Sequence, residues 1–252
     1  NYKTKAVVLS RKDLGEADRI LTLYTKDFGK IKAKAVGVRR AKSKLAGSLE
    51  LFNSGLIFLA QGKTFDVICG CEIDCHHQKI KKSLRRTSLA YYIGELVLKL
   101  TPEHLKSPPV FDLLIEALSG LDKEEESNLE LIVSFFELRL LSFLGYTPEF
   151  SRCIHCRKVL IPKENYFSFT SGGILCHDCK ETEENLILVS SQAVKIIRFI
   201  YKDEFANLKR IKDIVKYLPE VRNLSSNFIQ FIIEKDLKSQ DFIKSIENLE
   251  KK

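Results

Sequence analysis

No run of apolar residues in this 252-residue chain approaches the 18 needed to cross a membrane as a helix. The start carries no basic-then-apolar export signal. A soluble cytoplasmic chain without a membrane partner is therefore expected. Catalytic patterns are missing as well. There is no HExxH and no Ser-His-Asp pattern, and Gly29-Lys30 and Gly62-Lys63 both lack the upstream glycine of GxxxxGK[ST]. These absences remove a zincin, a serine hydrolase and a P-loop nucleotide hydrolase, and leave a binding protein, not an enzyme, as the expectation. Methionine is absent too, and nothing follows from it.

Carboxylates are missing from one stretch in particular. Residues 30–44, KIKAKAVGVRRAKSK, hold seven cations and no acid. Lys30 to Val36 alternates charged and apolar residues, so as a strand it places Lys30, Lys32 and Lys34 on one face and Ile31, Ala33 and Ala35 on the other. Gly37 permits a bend, and Arg39, Arg40, Lys42 and Lys44 crowd the loop beyond it. The plain reading is a solvated edge whose lysines discourage strand pairing. The functional reading is a phosphate-binding surface formed by all seven. The wider charge distribution supports the second. The chain carries +8 in total, and residues 1–80 alone hold 15 Lys and Arg against 8 Asp and Glu, so the excess is concentrated in one module, as a polyanion partner requires.

That module reads as β structure. Strands are expected over Tyr2–Arg11, Arg19–Thr25, Lys30–Val36, Leu51–Ala60 and Thr64–Ile73. The Asp27-Phe28-Gly29 turn joins the second to the third, and one helical turn is expected at Leu45–Leu49 between the third and fourth. Five strands with a short helix in that place is the order of an OB-fold, although other small barrels share the count. Tyr24 and Phe28 are candidate stacking platforms for bases.

The seven cysteines form two groups. Cys69, Cys71 and Cys75, beside His76 and His77, lack the two-residue gap usual for zinc ligands, and packing is their expected role. Cys153-Ile-His-Cys156 and Cys176-His-Asp-Cys179, nineteen residues apart, are different. Each pair suits a tight turn that aims two sulfurs at one tetrahedral ion. One structural zinc per chain is expected on Cys153, Cys156, Cys176 and Cys179, in a zinc ribbon whose hairpin uses Tyr166–Phe169 and Gly172-Gly173. His155 and His177 are weaker competitors for a ligand place.

From His77 onward the apolar period changes to that of helices. Leu89, Ile93, Leu96, Leu98 and Leu100 make one stripe, Pro108-Pro109 opens a second helix, and Ser127 with Glu130 reads as a capping box for a third. A serine caps Ala193–Tyr201, and helices are expected over Ile211–Leu218 and Ser226–Leu249, with a polar end from Glu247 to Lys252. The expected architecture is multidomain: an OB-fold barrel over 1–80, a helical bundle domain over 81–150, a four-cysteine zinc module inserted at 151–185, and C-terminal helices over 186–252 that complete the helical domain.

The residues also resemble a known family, the bacterial recombination mediator RecO. The resemblance lies in Gly15-Glu-Ala-Asp-Arg-Ile-Leu-Thr-Leu-Tyr-Thr25, Gly29-Lys-Ile31, Gly37-Val-Arg-Arg-Ala-Lys-Ser43, the run from Phe136 to Pro148, Cys153-Ile-His-Cys156 and Gly172 to Cys179. It spans about residues 5–180 in order; beyond about 185 only helical character is shared. It implies an OB-fold followed by a helical domain with a zinc module. It also implies binding of single- and double-stranded DNA, annealing of complementary strands, and work with RecR and single-stranded DNA-binding protein to load RecA in recombinational repair near the nucleoid. On this chain it marks Arg39, Arg40 and Lys42 as DNA contacts and the four paired cysteines as zinc ligands. An adaptor binding RNA or protein in a transcription or translation assembly is the alternative from another functional class.

Overall fold

The computed structural model describes residues 1–161, 163–234 and 237–250, with side-chain placement for all of these except 244 and 247–250. Of the polar end expected over Glu247 to Lys252, residues 247–250 are helical in backbone and 251–252 lie outside the described residues. The chain divides into two compact units, Asn1–Lys123 with Leu237–Lys252, and Glu124–Asp236.

The first unit holds five strands: β1 (Tyr2–Leu14), β2 (Asp18–Thr25), β3 (Gly29–Ala35), β4 (Ser54–Ala60) and β5 (Asp66–Cys75). They close into a barrel in the order β1-β2-β3-β5-β4, the arrangement of an OB-like barrel. Period-two alternation produces the interior directly. Ala6, Val8, Leu21, Leu23, Ile31, Ala33, Ala35, Ile57, Leu59 and Ile68 all point inward and form one buried cluster. Residues 36–53 cross from β3 to β4 as a series of turns. The helical turn expected at Leu45–Leu49 survives as one bond, Leu49 N to Leu45 O at 3.0 Å, and Leu49 plugs the barrel core.

Helices α1 (Gln78–Lys82), α2 (Leu84–Leu100) and α3 (Pro108–Lys123) follow, and α8 (Lys238–Glu250) returns to this unit. Ser83 caps α2 by accepting from Arg86 N at 3.3 Å. The Glu95 carboxylate on α2 receives Ser239 N at 2.9 Å and Ser239 Oγ at 2.5 Å. An acceptor there satisfies the orphan N–H groups at the start of α8.

In the second unit α4 (Leu129–Phe143) is central: Leu129, Leu131–Leu138, Leu140 and Leu141 are all buried. A helix apolar on every side sits inside its unit. The capping box expected at its start does not form. A 3-10 turn over Glu126–Asn128 leads in, and Asn128 is the N-cap, without a side-chain capping bond. Around α4 lie a three-stranded sheet, β6 (Asn165–Ser168), β7 (Gly173–Cys176) and β8 (Ile187–Val189), and helices α5 (Ser191–Lys202), α6 (Phe205–Leu208) and α7 (Ile214–Ile233). Ser190 caps α5, receiving Ala193 N at 3.1 Å. Helix α7 runs unbroken through Pro219, joining the helix expected over Ile211–Leu218 to the start of the one expected over Ser226–Leu249, which itself stops at Ile233. Pro219 is exposed, so the carbonyl its missing N–H leaves free is open to water. The buried carboxylate of Glu137 on α4 accepts from Arg222 Nη1 and, at 2.6 Å, from Ser225 Oγ, both on α7. Among the described residues no helix is long and apolar enough to cross a membrane.

Candidate nucleic-acid interface and metal centre

The seven cations of 30–44 fall into three environments. Lys30, on the outward face at the start of β3, is buried. Its Nζ donates to Leu98 O at 2.7 Å and Thr101 O at 2.5 Å, carbonyls at the C-terminal end of α2 that helix geometry leaves unpaired. Burial pulls its pKa down. The outward face of the strand is here not a solvent face, because residues 101–105 cross it: Lys30 bridges Glu103. At Gly29, φ +65°, an added Cβ would stand 2.1 Å from Leu105 O. The expected phosphate contact at Lys30 thus falls on an ammonium committed to the protein interior.

Lys32 and Lys34 are surface residues held by carboxylates, Lys32 to Glu103 at 2.6 Å and Lys34 to Asp18 at 2.8 Å. Asp18 also accepts Gly37 N at 2.8 Å, pinning the bend. Its hydrogen bond from Lys34, and then the one from Gly37, hold its carboxyl below the ordinary range. Arg39 donates to Gly15 O at 3.0 Å and meets Asp13 at 3.4 Å, so this guanidinium ties the loop to the β1–β2 turn. Asp13 and Asp18, which position the loop, escaped the sequence reading because nothing in their local pattern links them to residues twenty positions on.

Arg40, Lys42 and Lys44 are exposed and form no ion pair with a described residue. They project from a loop whose backbone is fixed by Arg39 N to Ala17 O at 2.9 Å and Ser43 N to Arg40 O at 2.9 Å. Three unneutralised cations on a tethered loop can receive phosphates without first breaking protein contacts. Tyr24, offered as a stacking platform, is fully buried and unavailable to a base, while Phe28 is 39 % exposed and packs edge-on against Tyr2. The basic run at the helical entrance is partly internal: Arg86 is buried and donates to Leu121 O at 2.5 Å.

The four paired cysteines come together as expected. Their sulfurs all lie within 4.8 Å of one another, in a group able to hold a metal ion. Cys153 and Cys156 sit on a knuckle closed by Cys153 N to Lys158 O and Arg157 N to Cys153 O, both at 2.9 Å. Arg157 takes φ +62° to make the turn. Cys176 ends β7, and Cys179 lies in the following 3-10 helix. The knuckle packs on β7 through Ile154 N to Ile174 O at 2.9 Å. Gly173 makes this approach possible, since a Cβ there would stand 2.5 Å from Ile154 Cγ2. Burial opposes ionisation of Cys153, yet the N–H groups of Cys176, Cys156 and His155 outweigh it and hold the thiol at about 6. Burial and the neighbouring thiols push Cys179 up to about 12. Four thiolates at this spacing need a cation among them. His155 and His177 are exposed.

The other cysteines do not join them. Cys71 packs on the barrel cluster. Cys75 Sγ lies 3.5 Å from Nδ1 of the buried His77. Cys69 is exposed, which corrects the packing expectation for that residue: the register of β5 on β4 shifts there, Gly70 pairing with Phe58 and Ile68 with Leu59, so Cys69 turns outward although Cys71 does not.

The family description "Recombination protein O N terminal" matches residues 1–74 and "Recombination protein O C terminal" matches residues 81–241. A protein of Dehalococcoides mccartyi named DNA repair protein RecO is 37% identical over 246 residues, covering 98% of this chain and 96% of that protein. Proteins of the same name from a Thermoanaerobacter species and from Acetivibrio thermocellus are each 32% identical, over 98% and 99% of both chains respectively.

Proposed function

The chain belongs to the RecO family of DNA repair and recombination proteins, and from that premise we propose that it is a non-enzymatic mediator acting on DNA in the cytoplasm, at the nucleoid. It binds single and double strands, anneals complementary strands and, with RecR, helps load RecA onto single-stranded DNA. The observation that carries the reading is the tethered loop with Arg40, Lys42 and Lys44 exposed beside Arg39. Two strands repel through their phosphates, and a surface that neutralises them raises the encounter rate without chemical work. Lys32 and Lys34 join this surface by exchanging a carboxylate for a phosphate; Lys30 does not.

The metal of the four-cysteine group is zinc, one per chain, in a structural role. A tetrahedron with Zn–S of about 2.3 Å has edges of about 3.8 Å, and Cys156 Sγ and Cys176 Sγ stand 3.8 Å apart. Four thiolates leave no open coordination place for water. For a strand coated with single-stranded DNA-binding protein, whose tail is acidic with an apolar end, the receiving groove is the cavity of about 720 Å³ in the first unit. Leu9, Leu51, Tyr91 and Phe242 supply its apolar wall, and Arg11 and Lys238 its cations.

The test is annealing of complementary oligonucleotides with and without ATP, joined to a salt titration of binding. Equal annealing in both conditions is expected. Changing Arg40, Lys42 and Lys44 together to alanine should flatten the log–log salt slope for single strands by about 2. A strict ATP requirement overturns the mechanism, and an unchanged slope moves the DNA surface away from the loop.

A further inference from the structure

The second unit is slightly acidic, with 15 Lys and Arg against 17 Asp and Glu over 124–236. One part of it departs from that balance. Residues 150–163, which carry the first cysteine pair, hold Arg152, Arg157, Lys158 and Lys163 and no acid. All four are exposed, and none forms an ion pair with a described residue. The flanking Glu149 is occupied with the backbone, accepting Ser151 N at 2.5 Å and Arg152 N at 3.2 Å.

The same segment presents apolar side chains outward. Val159, at 66 %, is the most exposed large apolar residue among those described, and Ile161 is 55 % exposed. Both stand on a small rigid element. Arg152 and Val159 pair as an antiparallel bridge, the knuckle bonds close the turn, and the backbone of Ile154 is fixed to β7. Solvation alone accounts for four cations. It does not account for two aliphatic side chains held in water between them, which costs free energy unless something covers them.

We propose that this knuckle is a second nucleic-acid contact, separate from the barrel loop, and that it takes duplex DNA. A hairpin with four exposed cations and, on its returning limb, the exposed aliphatics Val159 and Ile161 complements a groove, where phosphates line both walls and sugars and base edges form an uncharged floor. A single strand offers no such walls, and the knuckle presents no exposed Phe, Tyr or Trp on which its bases could stack. An acidic peptide supplies charge but needs a concave seat for its own apolar residues, and here the apolar residues project. The inference rests on the DNA-binding reading and adds the product of annealing as the ligand of a particular surface.

The test uses the full chain with its metal content measured. One variant combines Arg152→Gln, Arg157→Asn, Lys158→Gln and Lys163→Gln, asparagine being chosen because it tolerates the positive φ of position 157. A second is Lys158→Glu alone, which keeps the turn and is read if the first loses metal. Anisotropy is recorded for a duplex and a single strand of equal length across a salt series, with polyglutamate as an acidic competitor. The quadruple variant should bind duplex at least about tenfold more weakly with a salt slope flatter by about 3.6, while single-strand affinity changes less than about twofold. Lys158→Glu should shift duplex binding in the same direction. Unchanged duplex binding, or an equal loss for both forms, overturns the inference and leaves the barrel loop intact. Knuckle-dependent binding of polyglutamate without any change in duplex binding reassigns the surface to an acidic protein and also overturns it. Wild-type protein that binds neither DNA overturns the mediator reading itself.

Discussion

Replacing Lys30 by methionine separates an interior role from a DNA-binding one. The side chain is close in length and apolar, so it fills the volume but removes the donor to Leu98 O and Thr101 O. Hydrogen bonds from a charged group contribute about 1.5–3 kcal/mol each, and a buried acceptor left unpaired costs about 1–3 kcal/mol. Two acceptors are affected, offset in part because an ammonium no longer has to be desolvated, so a net loss of about 2–4 kcal/mol is expected. Lys32→Met is the internal control. It lies on the same face two residues on, in an ion pair with both side chains nearly half exposed, and should cost under about 1 kcal/mol. Urea unfolding gives both numbers, and a salt titration of single-strand binding gives the rest: no change of slope for Lys30→Met. Stability within about 0.5 kcal/mol of wild type, together with a slope flattened by about 0.7, would refute the interior assignment and return Lys30 to the DNA surface.

Three further outcomes are expected. Wild-type protein should contain about one zinc per chain and the Cys176→Ser, Cys179→Ser double variant none; zinc retained in that variant, by elemental analysis, refutes the ligand set. Arg222→Met leaves the fully buried Glu137 side chain without its guanidinium and should cost about 3–5 kcal/mol in unfolding experiments, whereas a loss below about 1 kcal/mol would mean that this pair does not help to hold α7 on α4. Burial lowers the pKa of His77, with Asp122 opposing and Lys81, Lys123 and His76 assisting. The unfolded chain therefore binds the proton more readily, and the contribution of His77 to stability is complete at neutral pH and lost as pH falls below the unfolded value of about 6.5. Wild-type protein should lose more stability between pH 7.5 and 5.5 than His77→Gln, and equal losses would contradict the burial argument.

The barrel was legible because its interior obeys a rule of period two, which Ile31, Ala33 and Ala35 follow without exception. The meeting of the four cysteines was legible because two CxxC turns have few other uses. Alternation places Lys30 outside the barrel interior, but does not tell that the end of α2 and residues 101–105, some seventy positions along, cover it there. Arg39 needed Asp13, and Lys34 needed Asp18, partners that no local pattern announces. The gap expected between Leu218 and Ser226 is helical instead, since a proline on an exposed helical face interrupts one hydrogen bond and not the helix.

Helix α8 belongs with the barrel although the whole of 124–236 is made before it. Its seat on α2 is prepared early, by Glu95 and by Tyr91, whose ring lies edge-on to Phe52 at 5.2 Å and to Phe242 at 6.4 Å. A ribosome therefore releases a barrel unit with an open seam, and the second unit has time to fold first. The seam closes only when Ser239 reaches the Glu95 carboxylate. Until then the face of α2 around Tyr91 and Glu95 lacks its cover from α8.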